Sequence, residues 1–195
     1  MKTESSKGKM KEIIQSHLVF SEESYNLLLN IATEREVRKN RLIFHPDKPT
    51  NKILFLKKGL LRGYKIIDGK EHTHHFYFAD WFATDFHSFL TAEPSQIYIQ
   101  TLEDAVFFEF QKKDLLNLYA TSHQLEALGR LIAEKAFVAT VEKLANMQLY
   151  NLAEKYEFLM KTNPGLIQRV PQKYIASYLG VSEQSLSRIK QSVIS

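Results

Sequence analysis

The spacing of apolar and polar positions changes character along the chain. Residues 1–12, MKTESSKGKMKE, are polar and predict a frayed start. Residues 21–35, SEESYNLLLNIATER, predict a helix with Ser21 as its N-cap and acids in the first turn. Between 36 and 110 the apolar residues come in short β-branched or aromatic runs: Leu42–Phe44, Ile53–Leu56, Leu60–Ile67, Thr73–Phe78, Ile97–Leu102 and Ala105–Phe110. Turn signals separate them, at His45-Pro46-Asp47, Lys58-Gly59, Asp68-Gly69 and Glu93-Pro94-Ser95. Many short strands at this spacing predict an antiparallel barrel or sandwich. Asp68-Gly69 suits a two-residue hairpin turn.

After Gln111 the pattern becomes helical. No proline occurs between 95 and 163, and Gly129 is the only glycine there. Leu125, Leu128, Leu131, Ile132, Phe137, Val138, Val141, Leu144 and Ala145 form one broad apolar face, with Arg130, Glu134, Lys135, Glu142 and Lys143 mostly off it. That is more apolar surface than one barrel contact needs, so residues 123–147 are read as a connecting helix that also meets a second copy of the chain. A purely intramolecular core helix is the alternative. A further helix is expected over about Gln148–Lys161, stopped by Asn163-Pro164-Gly165.

The most informative stretch is 172–191, QKYIASYLGVSEQSLSRIKQ. On a helical wheel Ile175 and Leu179 share a side with Ala176 beside them, and a small Ala lets a second helix cross closely. Gly180 can take the left-handed conformation that ends a helix, Val181 plugs the turn, and Ser182 is a natural N-cap for the next one. In that second helix Leu186, Ile189 and Val193 fall together and face inward, while Glu183, Gln184, Ser187, Arg188 and Gln191 share the outer side. This predicts a helix-turn-helix whose outer face suits a DNA major groove. Arg188 can pair bidentately with guanine, Gln184 can address adenine, and Glu183 can accept from cytosine. Gln172, Lys173, Ser182, Ser185 and Ser187 complete the expected DNA-binding set, with Lys173, Ser182 and Ser185 placed for phosphates near helix ends. A small helical hairpin with a solvated face is the plainer reading, and the coincidence of Ala, Gly and three apolar positions at the required offsets speaks against it.

Composition narrows the chemistry. The 195 residues carry no cysteine, which excludes disulfides, thiolate metal sites and Cys-ligated clusters. No apolar run reaches the roughly 18 residues of a membrane span, and the start does not resemble a signal peptide, so a cytoplasmic protein with no membrane partner is expected. The net charge is +4, unevenly spread. Segment 71–110 has seven acids and no Lys or Arg, whereas segment 163–195 has four bases against Glu183 alone, a tail that favours a polyanion.

These residues resemble the Crp/Fnr family of bacterial transcription regulators over nearly the whole chain. Ile175-Ala176, Leu179-Gly180-Val181-Ser182 and Ser185-Leu186-Ser187-Arg188 carry the C-terminal likeness, and Ile53-Leu-Phe-Leu-Lys-Lys-Gly59-Leu-Leu-Arg62-Gly-Tyr64 resembles the effector-barrel strand, turn and strand. The resemblance implies an α+β chain. An N-terminal antiparallel double-stranded β-barrel (a jelly-roll like the cyclic-nucleotide-binding domain) would occupy residues 1–122. A dimerisation helix would follow at 123–147, then a winged-helix/helix-turn-helix domain at 148–195. It implies a homodimer on a palindromic double-stranded DNA site, an unidentified small-molecule effector, and RNA polymerase as a candidate further partner. No enzymatic activity and no cofactor are expected.

Two departures from the family stand out. Cyclic-nucleotide binders carry a glycine–glutamate pair and a downstream arginine; here Ala83 and Thr84 stand at the pair and Ser95 near the arginine. Thr84, Asp85, Ser95, Gln96 and Thr140 are the candidate effector-pocket residues, and cyclic AMP binding in the usual mode is not expected, since seven acids would repel a phosphate. The chain also stops at Ser195, so any wing must come from residues 165–170.

Other candidates are weaker. His72, His74 and His75, with His45 and His87 elsewhere, lack a complete ligand set for a metal or haem. Asp80, Asp85, Glu93, Glu103 and Asp104 read as solvated acids, and Trp81, Phe82, Phe86 and Phe89 as barrel filling. The different-class alternative is a ligand-binding barrel with a degenerate helix-turn-helix that acts through protein partners.

Overall fold

A computed structural model of the chain describes residues 2–194, with side-chain environments for 8–191. The element order is α1 (Lys2–Gln15), α2 (Glu22–Asn30), β1 (Ala32–Val37), β2 (Leu42–Phe44), β3 (Lys52–Lys58), β4 (Leu60–Ile67), β5 (Lys70–Phe78), β6 (Trp81–Ala83), α3 (Phe86–Thr91), β7 (Tyr98–Thr101), β8 (Ala105–Gln111), α4 (Lys112–Thr121), α5 (His123–Leu149), α6 (Leu152–Thr162), α7 (Leu166–Arg169), α8 (Gln172–Leu179) and α9 (Glu183–Ile194). The strands form two four-stranded sheets, β1-β8-β3-β6 and β2-β7-β4-β5. The pairs β1–β8, β3–β8, β3–β6 and β2–β7 are antiparallel. Two compact units result: residues 1–63 with 76–136, and residues 64–75 with 137–195.

In the first unit, the period-two alternation of β3 and β8 builds two cores from one sheet. Ile53, Phe55, Phe108 and Phe110 face the helices and pack with Met10, Ile14, Leu28, Leu115, Leu125 and Leu128. Leu54, Leu56, Ala105 and Phe107 face the other sheet and pack with Phe44, Leu61 and Ile99. A strand covered on both faces needs an unbroken apolar run, which is why Ile53–Leu56 has no polar position. The β4–β5 turn forms as the sequence predicts, with Asp68 and Gly69 both at positive φ, 50° and 72°.

Several boundaries differ from the sequence reading. The N-terminal segment is helical rather than frayed, because Met10 and Ile14, one turn apart, are buried in the helix-side core. α2 starts on its Ser21 cap (Ser24 N–H to Ser21 Oγ, 3.1 Å) but ends at Asn30, since Ala32–Val37 pairs with β8 instead of extending the helix. The expected helix at Gln148 begins at Leu152. Asn151 and Glu154 form a reciprocal capping box there (3.1 and 2.7 Å), which separates α6 from α5. Residues 166–169, the stretch from which any wing would have had to come, form the short helix α7 instead.

The broad apolar face of α5 has two fates. Leu125 and Leu128 are buried against the barrel side. Phe137, Val138, Val141, Leu144 and Met147 are 69, 53, 48, 55 and 60% exposed. Gly129 has a steric role: a Cβ there would lie 2.7 Å from Tyr119 Cζ, so its absence lets α4 and α5 cross.

Candidate nucleic-acid interface

The second unit is held by a small core. Among the described residues, Tyr64, Tyr156, Leu159, Leu166, Val170, Ile175, Ala176 and Leu186 are its buried apolar residues. α9 packs on both α6 and α8. α8 ends at Gly180, whose φ of 72° is the left-handed conformation a Cβ disfavours. The Val181 N–H reaches back to the Ala176 carbonyl (3.0 Å) and turns the chain. Ser182 then caps α9: its Oγ accepts from the Ser185 N–H at 3.1 Å, and its carbonyl accepts from the Leu186 N–H at 3.0 Å.

Leu186 is fully buried and Ile189 half-buried, as the wheel predicts; the Val193 side chain lies outside the described residues. The outer face is open. Glu183, Gln184, Ser187, Arg188 and Gln191 are exposed. Among the described residues, none of the side chains of Glu183, Gln184, Ser187 and Arg188 is committed to a hydrogen bond or ion pair. The N-terminal half of α9 thus offers a guanidinium, an amide, a hydroxyl and a carboxylate, the donor and acceptor mixture that base edges present in reverse. Ser182 and Ser185 also share a hydroxyl–hydroxyl bond (2.9 Å), so their oxygens are partly spent on the cap. Gln172 and Lys173 are exposed at the start of α8, which has no side-chain cap, and Lys173 Nζ lies 4.9 Å from the Tyr174 ring centroid.

Of the candidate effector residues, Thr84, Asp85 and Ser95 are committed to hydrogen bonds within the first unit. Asp85 caps α3 (Ser88 N–H, 3.4 Å) and accepts the Ser95 hydroxyl at 2.7 Å, while the Ile97 N–H donates to Ser95 Oγ at 3.1 Å. Ser88 Oγ donates to the Glu93 carbonyl (2.6 Å) and accepts from the Thr50 N–H (2.8 Å). Thr84 Oγ1 donates to the Lys52 carbonyl (2.9 Å), and the Tyr77 hydroxyl donates to the Thr84 carbonyl (3.2 Å). Burial first, and the Asp85 charge second, push the Tyr77 phenol well above its usual range. Thr84 and Ser95 are buried, Gln96 is exposed, and Thr140 lies on the exposed stretch of α5. The Asp85 carboxylate is thus held by the Ser95 hydroxyl and the Ser88 amide.

The sequence reading missed Arg62. It is completely buried on β4, outside the 71–110 segment in which cations were counted, and it has a partner within the chain. An arginine inside the otherwise apolar run Leu60-Leu61-Arg62-Gly63-Tyr64 was the available signal, because a charge is rarely buried without a purpose. His72 and His74 are exposed and His75 is half-buried. Among the described residues no group of three or more His, Asp or Glu could hold a metal. Nor, among them, is any helix long and apolar enough to cross a membrane.

Residues 34–122 match the cyclic nucleotide-binding domain family. No curated protein matches the sequence. Solved structures share the fold. FixK2 from Bradyrhizobium japonicum has a TM-score of 0.71 at 17% identity, covering 84% of each chain. CLP of Xanthomonas campestris, described as a c-di-GMP-responsive global regulator, has a TM-score of 0.66 at 16% identity, covering 89% of this chain and 91% of that one. A transcriptional regulator of the Crp/Fnr family from Eubacterium rectale has a TM-score of 0.66 at 16% identity, covering 89% and 83%. The resemblance to Crp/Fnr regulators read from the sequence therefore extends to the fold.

Proposed function

We propose that the chain is a sequence-specific DNA-binding transcription regulator of the Crp/Fnr type that acts as a homodimer and does not respond to cyclic AMP in the usual mode. The observation that carries the reading is the open face of α9, with Glu183, Gln184, Ser187 and Arg188 exposed and uncommitted above a fully buried Leu186. In this reading residues 1–122 sense, 123–147 join two copies, and 148–195 form a helix-turn-helix domain that reads DNA. Arg188 and Gln184 address base edges, with Glu183 and Ser187 beside them. Gln172, Lys173, Ser182 and Ser185 hold the phosphate backbone. The exposed stripe from Phe137 to Met147 is apolar surface that a second copy would cover, and two-fold symmetry then sets half-sites about one helical turn apart on a palindrome. RNA polymerase is a further partner that a regulator of this type would meet, and the effector is of unknown chemistry.

The absence of a cyclic AMP response follows from the Asp85–Ser95 bond. A ligand phosphate there would face a carboxylate already held by the chain's own hydroxyl. The test is binding to a duplex enriched from a randomised pool. Arg188→Ala should lose roughly 1–3 kcal/mol and relax the preference at one base pair, whereas Lys173→Ala should weaken all sequences evenly and flatten the salt slope. An Arg188→Ala loss that is equal on all sequences sinks the base-reading assignment. No duplex retained at low salt by an intact dimer would favour a barrel that works through protein partners.

A further inference from the structure

Strand β5 has an edge that is used by an unexpected element. Ser177, in the middle of α8, accepts the Thr73 N–H at 2.8 Å and donates its own proton to the Glu71 carbonyl at 3.0 Å. Residues 71 and 73 point the same backbone edge outward, so one hydroxyl occupies both a donor and an acceptor that a neighbouring strand would otherwise take. Next to it, Lys143 of α5 donates to the carbonyl of His74 and lies over the Tyr178 ring, 5.0 Å from its centroid. Thr73 is buried, and His75, Lys143, Ser177 and Tyr178 are half-buried. Three elements distant in sequence therefore meet through backbone-specific bonds. Burial also lowers the Lys143 ammonium and raises the Tyr178 phenol, as expected for a dry contact.

We infer that the β5 edge at residues 71–74 is the seat of α8, and that Ser177 and Lys143 act as positioning residues that fix the orientation from which α9 reads DNA. The inference rests on the DNA-reading function proposed above. The seat positions the reading helix and does not mask it, because Gln172, Lys173, Glu183, Gln184, Ser187 and Arg188 are all exposed while the seat is engaged. Residues 64–75 belong to the same compact unit as α8 and α9, although their strands continue into β4 and β5. Displacing this hairpin would displace the reading helix with it, so a regulatory input to β4 or β5 has a covalent and hydrogen-bonded route to the DNA face.

The test uses the full chain, with Ser177→Ala to remove both bonds and Ser177→Thr to keep a hydroxyl. Hydrogen exchange at the Thr73 amide is measured first. In Ser177→Ala it should speed up by about fivefold or more, the loss expected when a buried amide forfeits its acceptor. Affinity for a duplex selected by the wild-type chain should fall by about three- to tenfold, because the reading helix is no longer pre-positioned. Ser177→Thr should recover both. Unchanged exchange at Thr73 overturns the seat. Faster exchange with unchanged or tighter DNA binding overturns its positioning role, as does failure of Ser177→Thr to restore affinity. A wild-type chain that selects no duplex overturns the DNA reading itself, and with it the positioning role; the exchange result then decides on the seat alone.

Discussion

Leu186→Ala separates holding the reading helix from reading. Leu186 is fully buried, and few apolar residues of the second unit are buried with it: among the described residues Tyr64, Tyr156, Leu159, Leu166, Val170, Ile175 and Ala176 are the others. Truncating a buried Leu removes its transfer free energy and leaves a cavity, about 2–5 kcal/mol in all. In a unit of this size a loss of about 3 kcal/mol lowers the midpoint of unfolding by roughly 12–24 °C. The single tryptophan, Trp81, lies in the other unit, so its fluorescence follows the barrel while helical circular dichroism also follows α5 to α9. The expected melt has an early loss of helical signal without a change at Trp81, and DNA binding disappears with that early step. Arg188→Ala, at an exposed position, should weaken DNA binding with the melt unmoved. If Leu186→Ala melts like the wild type, the packing argument for α9 is wrong.

Four further outcomes are expected. Gly129→Ala should gain roughly 1 kcal/mol of helix propensity but lose about 1–3 kcal/mol by driving a Cβ into the Tyr119 ring, so urea unfolding should show a net loss; a stabilised variant would refute the close crossing. Leu144→Glu places a charge on the exposed α5 stripe and should convert a dimer to a monomer in sedimentation, whereas an unchanged dimer would move the interface elsewhere. Asp85→Ala removes the acceptor of the Ser95 hydroxyl and the cap of α3, for a loss of about 2 kcal/mol in chemical denaturation; a neutral result would mean the bond is not formed in solution. Burial, the Lys143 ammonium and the His74 ring hold the His75 imidazole down at about 3. Because the unfolded state then binds more protons, His75 favours folding fully above about pH 6.5, and that contribution shrinks as pH falls toward 3. His75→Gln should flatten the acid side of the stability curve over that window, and an unaltered slope would contradict a ring held neutral by its surroundings.

What was legible in the sequence was local. Ser21, Asp68-Gly69 and the Gly180-Val181-Ser182 turn act through their own backbone conformation and hydrogen bonds, so their positions carried over to the structure. The paired apolar faces of β3 also announced themselves as an uninterrupted run. What failed depended on distant partners. Ala32–Val37 is as acceptable on a helix as on a strand until β8 lies beside it, and the α1 segment looks polar until Met10 and Ile14 find the core. The α5 wheel shows one face, and only packing reveals that Leu125 and Leu128 are covered within the chain while Leu144 and Met147 are not. At the candidate site the exposed set on α9 was readable from helical period alone. The Ser177 contact with β5 was not, since nothing in the sequence distinguishes that serine from an ordinary surface position, and Arg62 stood out only as a charge within an apolar run, its burial decided by the packing around β4.

The most direct test of the account is selection of bound duplexes from a randomised pool at about 100 mM salt, where non-specific phosphate binding is weakened, with and without cyclic AMP. The account predicts a palindromic consensus that is the same in both arms, with half-sites about one helical turn apart. A consensus that appears only with the nucleotide would contradict the Asp85–Ser95 argument, and enrichment of no sequence in either arm would contradict the assignment of α9 as a reading helix.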